Sequence, residues 1–333
     1  MSVTIYDVAS LAHVSVTTIS KILNHKDYDI SDDTRERVLA VIKEIKFTPS
    51  GLARSLVTKR TNVLGLMLPD ISNQYFADMA RGVEDGANSL GYNIILCNTD
   101  ENHQKELDYL HLLQEKSTDG IIIVPIAESE NFFTPEFNYE KPFVVLDRVY
   151  ENMSSDICQV RTDNVKGGYL ATKYLIDRGH KRIGMISGPN KNIPSSDRQS
   201  GYKMALEQAG IKIDESMIFE GNYKYESGLS GARYLLDIGV TAIFAGNDIM
   251  ASGAYKAVLA QGLKIPGDIS IMGYDNVLLS EIIDPPLTTI MQPKTEMGHI
   301  AATMLIHILK KEETETDVVF EPSIVERQSV RII

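Results

Sequence analysis

Apolar and polar positions alternate on two different scales along this chain. From residue 62 onward short, uninterrupted apolar runs recur: NVLGLMLPD (62–70), YNIILCNTD (92–100), GIIIVPI (120–126) and PFVVLDR (142–148). Between the earlier ones lie segments with helical spacing, YFADMARGVEDGANSLG (75–91) and QKELDYLHLLQEK (104–116). A second set follows, RIGMISGP (182–189), SMIFEGNY (216–223), AIFAGND (242–248) and ISIMGYD (269–275), again separated by helical stretches. Strands that are apolar on both faces must be covered on both faces, so the alternation predicts parallel, doubly wound α/β sheets. Its repetition predicts two such lobes, one after the other, with a cleft between them and ligand loops beyond the carboxyl ends of the strands.

The first 48 residues follow a shorter period. Thr4-Ile5-Tyr6-Asp7 reads as a capping box, with Val8, Leu11 and Ala12 forming a helical stripe behind it. The next run, VSVTTISKILN (14–24), is rich in β-branched residues, which lean towards a strand. After the break at His13-Val14, however, Ser15 can cap a second helix in which Ile19 and Leu23 face inward and Lys21 outward. A third helix starts at Ser31, favoured by Asp32 and Asp33 at its positive end, with Val38, Val41, Ile42 and Ile45 on its apolar face. Three short helices with a tight turn between the first two predict a helix-turn-helix, whose second helix enters the DNA major groove. Packing then overrides the weak strand propensity of residues 14–24.

Charge fits that division. The net charge is −12, yet residues 1–60 carry nine Lys and Arg against seven Asp and Glu, while the rest carries 24 against 38. An acidic body on a mildly basic head suits a protein that meets a polyanion only through its head. MSVTIYDVAS does not read as a signal peptide, and no apolar run approaches the roughly 18 residues a membrane helix needs. Two cysteines, Cys97 and Cys158, stand in unrelated segments, which suits a reducing, cytoplasmic setting and no zinc module. No catalytic motif is present: GLSG (228–231) lies in a helical stretch, His103 and His111 sit on a charged helix, and His180 and His299 read as surface or interface residues. The chain is expected not to be an enzyme.

TIYDVASLAHVSVTTISKILN (4–24) resembles the N-terminal signature of the LacI/GalR family, and the resemblance runs over essentially the whole chain. It implies an all-α helix-turn-helix head (1–48), a hinge helix or linker (49–61), and an α/β body of two doubly wound parallel-sheet lobes like the periplasmic binding proteins (62–333). By position, Val16, Thr17 and Lys21 match the base-reading residues, and Ser15, Thr18 and Asn24 match positions nearer the phosphates, with Thr4 and Tyr6 also in the DNA-contacting set. His13 replaces the usual turn glycine, and Lys21 replaces an arginine, losing the bidentate fork. In PSGLARSLVTKR (49–60), Leu56 matches a leucine that wedges into the minor groove, beside Ala53 and Arg54; Ser50 stands for the usual asparagine. Two heads in a homodimer imply a pseudopalindromic operator, and the helices at 75–90 and 292–311 are candidates for the dimer face.

Polar residues collect after the predicted strands: Asn73, Tyr75 and Phe76, then Asp147 and Arg148, then Arg198, Tyr223, Asn247, Asp248, Asp275 and Gln292. Asp248, just before a helix, reads by itself as a cap. Carboxylates and guanidinium groups take pairs of hydroxyl hydrogen bonds, and aromatic faces cover the C–H side of a sugar. The set without Asp248 resembles, residue by residue, the sugar site of ribose-type binding proteins and ribose-operon repressors. That implies a sugar-responsive regulator of a sugar-utilisation operon, released from or directed to its operator by D-ribose or a similar aldose, with no metal or other cofactor. The alternative is a global carbon-catabolite regulator answering to a phosphorylated carrier protein or a sugar phosphate. Thr295 and Thr303 stand where that class has aromatic and arginine contacts for its partner, which weighs against it. Replacing Leu56 by Ala is expected to weaken specific operator binding much more than non-specific DNA binding, as titration at fixed salt would show; equal losses would refute the wedge.

Overall fold

The computed structural model describes residues 3–23, 27–48, 60–126, 141–148 and 157–333. By contacts the chain divides into two units, Met1–Thr61 and Asn62–Ile333. The hinge positions Ala53, Arg54 and Leu56, with Asn24, lie outside the described residues.

In the head, α1 (Ile5–Ala12), α2 (Val16–Leu23) and α3 (Asp32–Glu44) are the three expected helices. The Asp7 carboxylate accepts the Thr4 backbone N–H at 2.7 Å and its hydroxyl at 2.8 Å. His13 takes the left-handed conformation of the tight turn, φ 52° and ψ 45°, which a non-glycine residue adopts at some cost. Ser15 Oγ accepts the Thr18 N–H at 3.1 Å, so the β-branched run begins as a capped helix. Its interior side differs slightly from expectation: Ile19 and Ile22 enter the core with Val8, Ala12 and Val38, while Leu23 packs only at its edge.

The body opens with β1 (Val63–Leu68), α4 (Gln74–Ser89), β2 (Asn93–Asn98), α5 (His103–Glu115), β3 (Gly120–Ile123), β4 (Phe143–Leu146) and β5 (Gln159–Thr162). It continues through α6 (Asn164–Asp177), β6 (Ile183–Ser187), α7 (Ile193–Gln208), β7 (Ile218–Glu220), α8 (Tyr225–Asp237), β8 (Ala242–Ala245), α9 (Asp248–Ala260) and β9 (Ser270–Asp275). Last come α10 (Leu279–Ile282), β10 (Thr288–Met291), α11 (Lys294–Lys310), β11 (Asp317–Phe320) and β12 (Ser323–Val325). One sheet has the order β11-β5-β4-β3-β1-β2 and the other β12-β10-β9-β8-β6-β7. All pairings are parallel except β12 on β10.

The lobes are therefore interleaved and do not simply follow one another. After the second sheet the chain returns in α11 and β11 to the first lobe, then crosses again to add β12 to the second. The cause is α11: Met297, Ala301, Ala302, Met304, Leu305 and Ile306 belong to the first lobe's core, with Met79 and Val83 of α4. Glycines let the two helices touch backbone to backbone. A Cβ on Gly82 would stand 1.9 Å from Thr295 O, and one on Gly298 2.2 Å from Met79 O. The helices proposed as a dimer face thus bury one side of each against the other, leaving Arg81, Glu84, Asp85, Glu296 and His299 exposed. Among the described residues no helix is long and apolar enough to cross a membrane. His180, expected near the surface, is fully buried, with Nδ1 2.9 Å from Thr241 Oγ1.

Gly298→Val forces the α4–α11 contact apart and is expected to cost about 1–3 kcal/mol. Urea unfolding would show it as a lowered midpoint, and an unchanged midpoint would contradict the close-approach role.

Candidate functional site

Loops at the carboxyl ends of the strands in both lobes enclose a cleft of about 1010 Å³. Asn73, Tyr75, Phe76, Asp147, Arg148, Arg198, Tyr223, Asn247 and Asp275 all line it. Gln292 stands one layer behind, donating from Nε2 to Asp275 Oδ1 at 2.8 Å.

The first lobe's share is built from the ends of β1 and β4. Asn73 caps α4 by accepting the Tyr75 N–H at 3.1 Å, which places both following aromatics at the cleft. The Tyr75 hydroxyl donates to Asp147 Oδ1 at 2.5 Å and lies 3.3 Å from Gln292 Oε1. The Arg148 guanidinium sits over the Phe76 ring at 5.6 Å and forms a forked pair with Glu101, Nη1 to Oε2 at 3.0 Å and Nη2 to Oε1 at 2.8 Å.

In the second lobe, Arg198 of α7 stacks on Tyr274 at 3.8 Å. It donates from Nε to Asn164 Oδ1 at 2.8 Å and from Nη1 to Gly246 O at 2.6 Å. Asn247 caps α9 by accepting the Met250 N–H at 2.8 Å and donates to Tyr223 O at 3.0 Å. The cap of that helix is therefore Asn247. Asp248, read above as the cap, is buried and holds the Val277 N–H at 2.9 Å and the Thr289 hydroxyl at 2.6 Å, outside the cleft lining.

Several lining residues have backbones in the left-handed region: Asp147 (φ 68°), Tyr223 (φ 64°) and Asp275 (φ 107°), with Asp100 and Glu101 both at φ 53°. Such conformations persist only where surrounding contacts impose them, and they cluster where ligands are held. Burial also pushes the cleft acids up: Asp147 is raised, and Asp275 is raised to about 6 despite the opposing field of Arg198. Two carboxyl groups, two guanidinium groups and three aromatic faces form a surface suited to a compact molecule bearing several hydroxyls.

The sequence reading missed Glu101, Asn192 and Glu220, which also line the cleft. Glu101 and Asn192 follow predicted strands, so the same strand-end signal marks them, and Glu220 is the last residue of β7. In the head, Thr4, Tyr6, Ser15 and Thr17 are exposed and Val16, Thr18 and Lys21 half-buried. Lys21 does not stand free: its ammonium pairs with Asp29, beyond the end of α2.

A helix-turn-helix head joined in sequence to a two-lobed body with a polar cleft defines a DNA-binding regulator. Residues 4–50 match the model for bacterial regulatory proteins of the lacI family, and residues 61–326 match that for periplasmic binding proteins and the sugar binding domain of the LacI family. The chain belongs to the LacI family. It is 38% identical over 335 residues to the transcriptional repressor PurR of Vibrio atlanticus, covering 99% of both chains. It is 37% identical to the ribose operon repressor of Haemophilus influenzae, covering 98% of both. A solved structure of the lac repressor dimer bound to operator and the anti-inducer ONPF matches with a TM-score of 0.87 at 25% identity, over 99% of this chain and 100% of that one. The relatives are transcription regulators, and this chain is a DNA-binding regulator and not an enzyme.

Burial, then the nearby Asp275, raises the Asp248 carboxyl from 3.8 to about 8. A carboxyl raised in the fold favours folding while it stays protonated. Its contribution is full below the unfolded value near 4 and is lost as pH rises through the folded value near 8. Relative to Asp248→Asn, the wild type is therefore expected to lose stability steadily from pH 4 to 8 in urea titrations; parallel curves would contradict this.

Proposed function

We propose that this protein is a cytoplasmic, homodimeric repressor of a sugar-utilisation operon, binding a pseudopalindromic operator and released from it by a small neutral aldose, D-ribose in the first place. The observation that carries the reading is the cleft itself: Asp147 and Asp275 with Arg148 and Arg198, beside the faces of Tyr75, Phe76 and Tyr223. Carboxylates and guanidiniums on opposite lobes can grip vicinal hydroxyls from two sides, so a bound sugar favours one relative arrangement of the lobes. Residues 49–61 join the head to the first lobe, and a change of lobe arrangement alters how two such segments are spaced in a dimer. The ribose operon repressor among the relatives supports ribose; the PurR relative makes a purine the competitor to exclude.

Charge weighs against a phosphorylated effector. Asp70, Asp100, Glu101, Asp147, Glu220, Glu226 and Asp275 line the cleft against Arg148, Lys191, Arg198 and Lys224, an excess of acid. The catabolite-regulator alternative is further weakened at Thr303, whose hydroxyl donates to His299 O of its own helix at 3.1 Å.

D-ribose at about 100 times its dissociation constant should stabilise the protein by roughly 2.7 kcal/mol in a thermal-shift assay. Arg148→Ala should abolish that shift and the release of DNA, while leaving sugar-free operator binding intact. A shift with a purine base or a phosphorylated metabolite, and with no free aldose, would contradict the reading.

A further inference from the structure

Resting on the sugar reading of the cleft, we propose that Glu101 is a charge filter: it neutralises Arg148 and leaves only one edge of that guanidinium for a ligand, so that the site takes a vicinal diol and rejects phosphate and carboxylate.

The inventory of donors makes the case. A guanidinium has five N–H groups. Both hydrogens of Arg148 Nη1 are engaged, by Glu101 Oε2 at 3.0 Å and by Pro125 O at 3.3 Å. Nη2 stands 2.8 Å from Glu101 Oε1 as the other arm of the ion pair. What is left, among contacts of the described residues, is the Nε–H and the second Nη2 hydrogen. These two lie on the same edge and point in parallel. That is the fork with which arginine usually takes a carboxylate or phosphate. Here its charge is already balanced. A pair of neighbouring hydroxyl oxygens still fits the two donors, but an anion would meet Glu101 in the first shell of charge around its own binding group.

Arg198 differs in kind. It is anchored by the neutral acceptors Asn164 Oδ1 and Gly246 O, with no carboxylate in ion-pair contact among the described residues. The filter is thus specific to the Arg148 side. Glu101 comes from the loop after β2, in the left-handed conformation at φ 53° and directly after Asp100 at the same angle, so the backbone is held in an uncommon shape where the carboxylate reaches Arg148. The Glu101 side chain is 43% exposed, so its substitution removes little packing, whereas Arg148 is 8% exposed. Discrimination by a repulsive group, and not only by attractive contacts to the right ligand, is a general way to build specificity.

The test uses the full-length protein, with D-ribose and inorganic phosphate as probes in calorimetry and thermal shift. Wild type should bind ribose and give no phosphate response. Glu101→Ala and Glu101→Gln should raise phosphate affinity about tenfold or more relative to ribose, and the gain should vanish in the Glu101→Ala/Arg148→Ala double variant. Unchanged operator binding reports intact folding, and a merely structural role for Glu101 would not change the ratio of the two ligands. If ribose binds but neither variant gains a phosphate response, the filter is refuted and the sugar reading stands. If wild type answers to no neutral aldose while the variants gain an Arg148-dependent phosphate response, the filter stands and the sugar reading fails.

Discussion

The contact between α4 and α11 is the one on which the body depends. Gly82 and Gly298 bring the two backbones closer than any side chain would permit, and through that contact a helix that follows the second sheet becomes part of the first lobe's core. The chain is thereby laced back and forth across the cleft. A two-lobed protein whose lobes followed one another would be joined by a single strand of chain. This one is joined by several, which restricts relative motion to a hinge-like opening and closing. The same helix pair places functional residues: the first turn of α4 carries Tyr75 and Phe76 at the cleft, and Lys294 at the start of α11 donates to Asp275 O and Asn276 O at 3.2 and 2.9 Å.

Charge burial in the cleft has no obvious stability rationale. Taking carboxylates and guanidiniums out of water costs more than their attraction usually returns, and well-packed apolar residues would commonly do as well. Asp147, Arg148, Arg198 and Asp275 are all nearly inaccessible. Each is held by neighbouring residues while it lines the cleft. A set of buried polar groups contributed by two lobes is suited to a polar ligand, and it is why ligand binding and lobe arrangement are linked in this account.

Much of this was legible in the sequence because the signals were strong and local. Runs such as GIIIVPI can hardly be anything but buried parallel strands, and the capping residues Thr4, Ser15 and Ser31 mark helix starts directly. β5, β11 and β12 were not: QVRT, DVVF and SIV are short edge-side strands whose mixed composition carries little pattern. The lacing of the lobes depends on where α11 docks, a tertiary choice that its amphipathicity leaves open. Glu101 and Asn192 follow strand ends like the residues that were picked out, but their role depends on Arg148 and Tyr223 across the cleft. His180 shows the converse error: a polar residue after a helix reads as exposed until Thr241 is seen to receive it. In the head, the pairing of Lys21 with Asp29 joins positions eight residues apart across a turn, beyond the reach of helical spacing rules.

The central claim is that the cleft and the DNA-binding head share one coupling free energy. Linkage makes this strict: if a sugar changes operator affinity by some factor, operator must change sugar affinity by the same factor. The most direct measurement is a thermodynamic square on the full-length protein, with ribose affinity taken with and without saturating operator DNA selected from random sequence, and operator affinity with and without saturating ribose. The account expects two equal factors, with ribose and operator each weakening the other. Ribose and operator affinities that are indifferent to one another would contradict it.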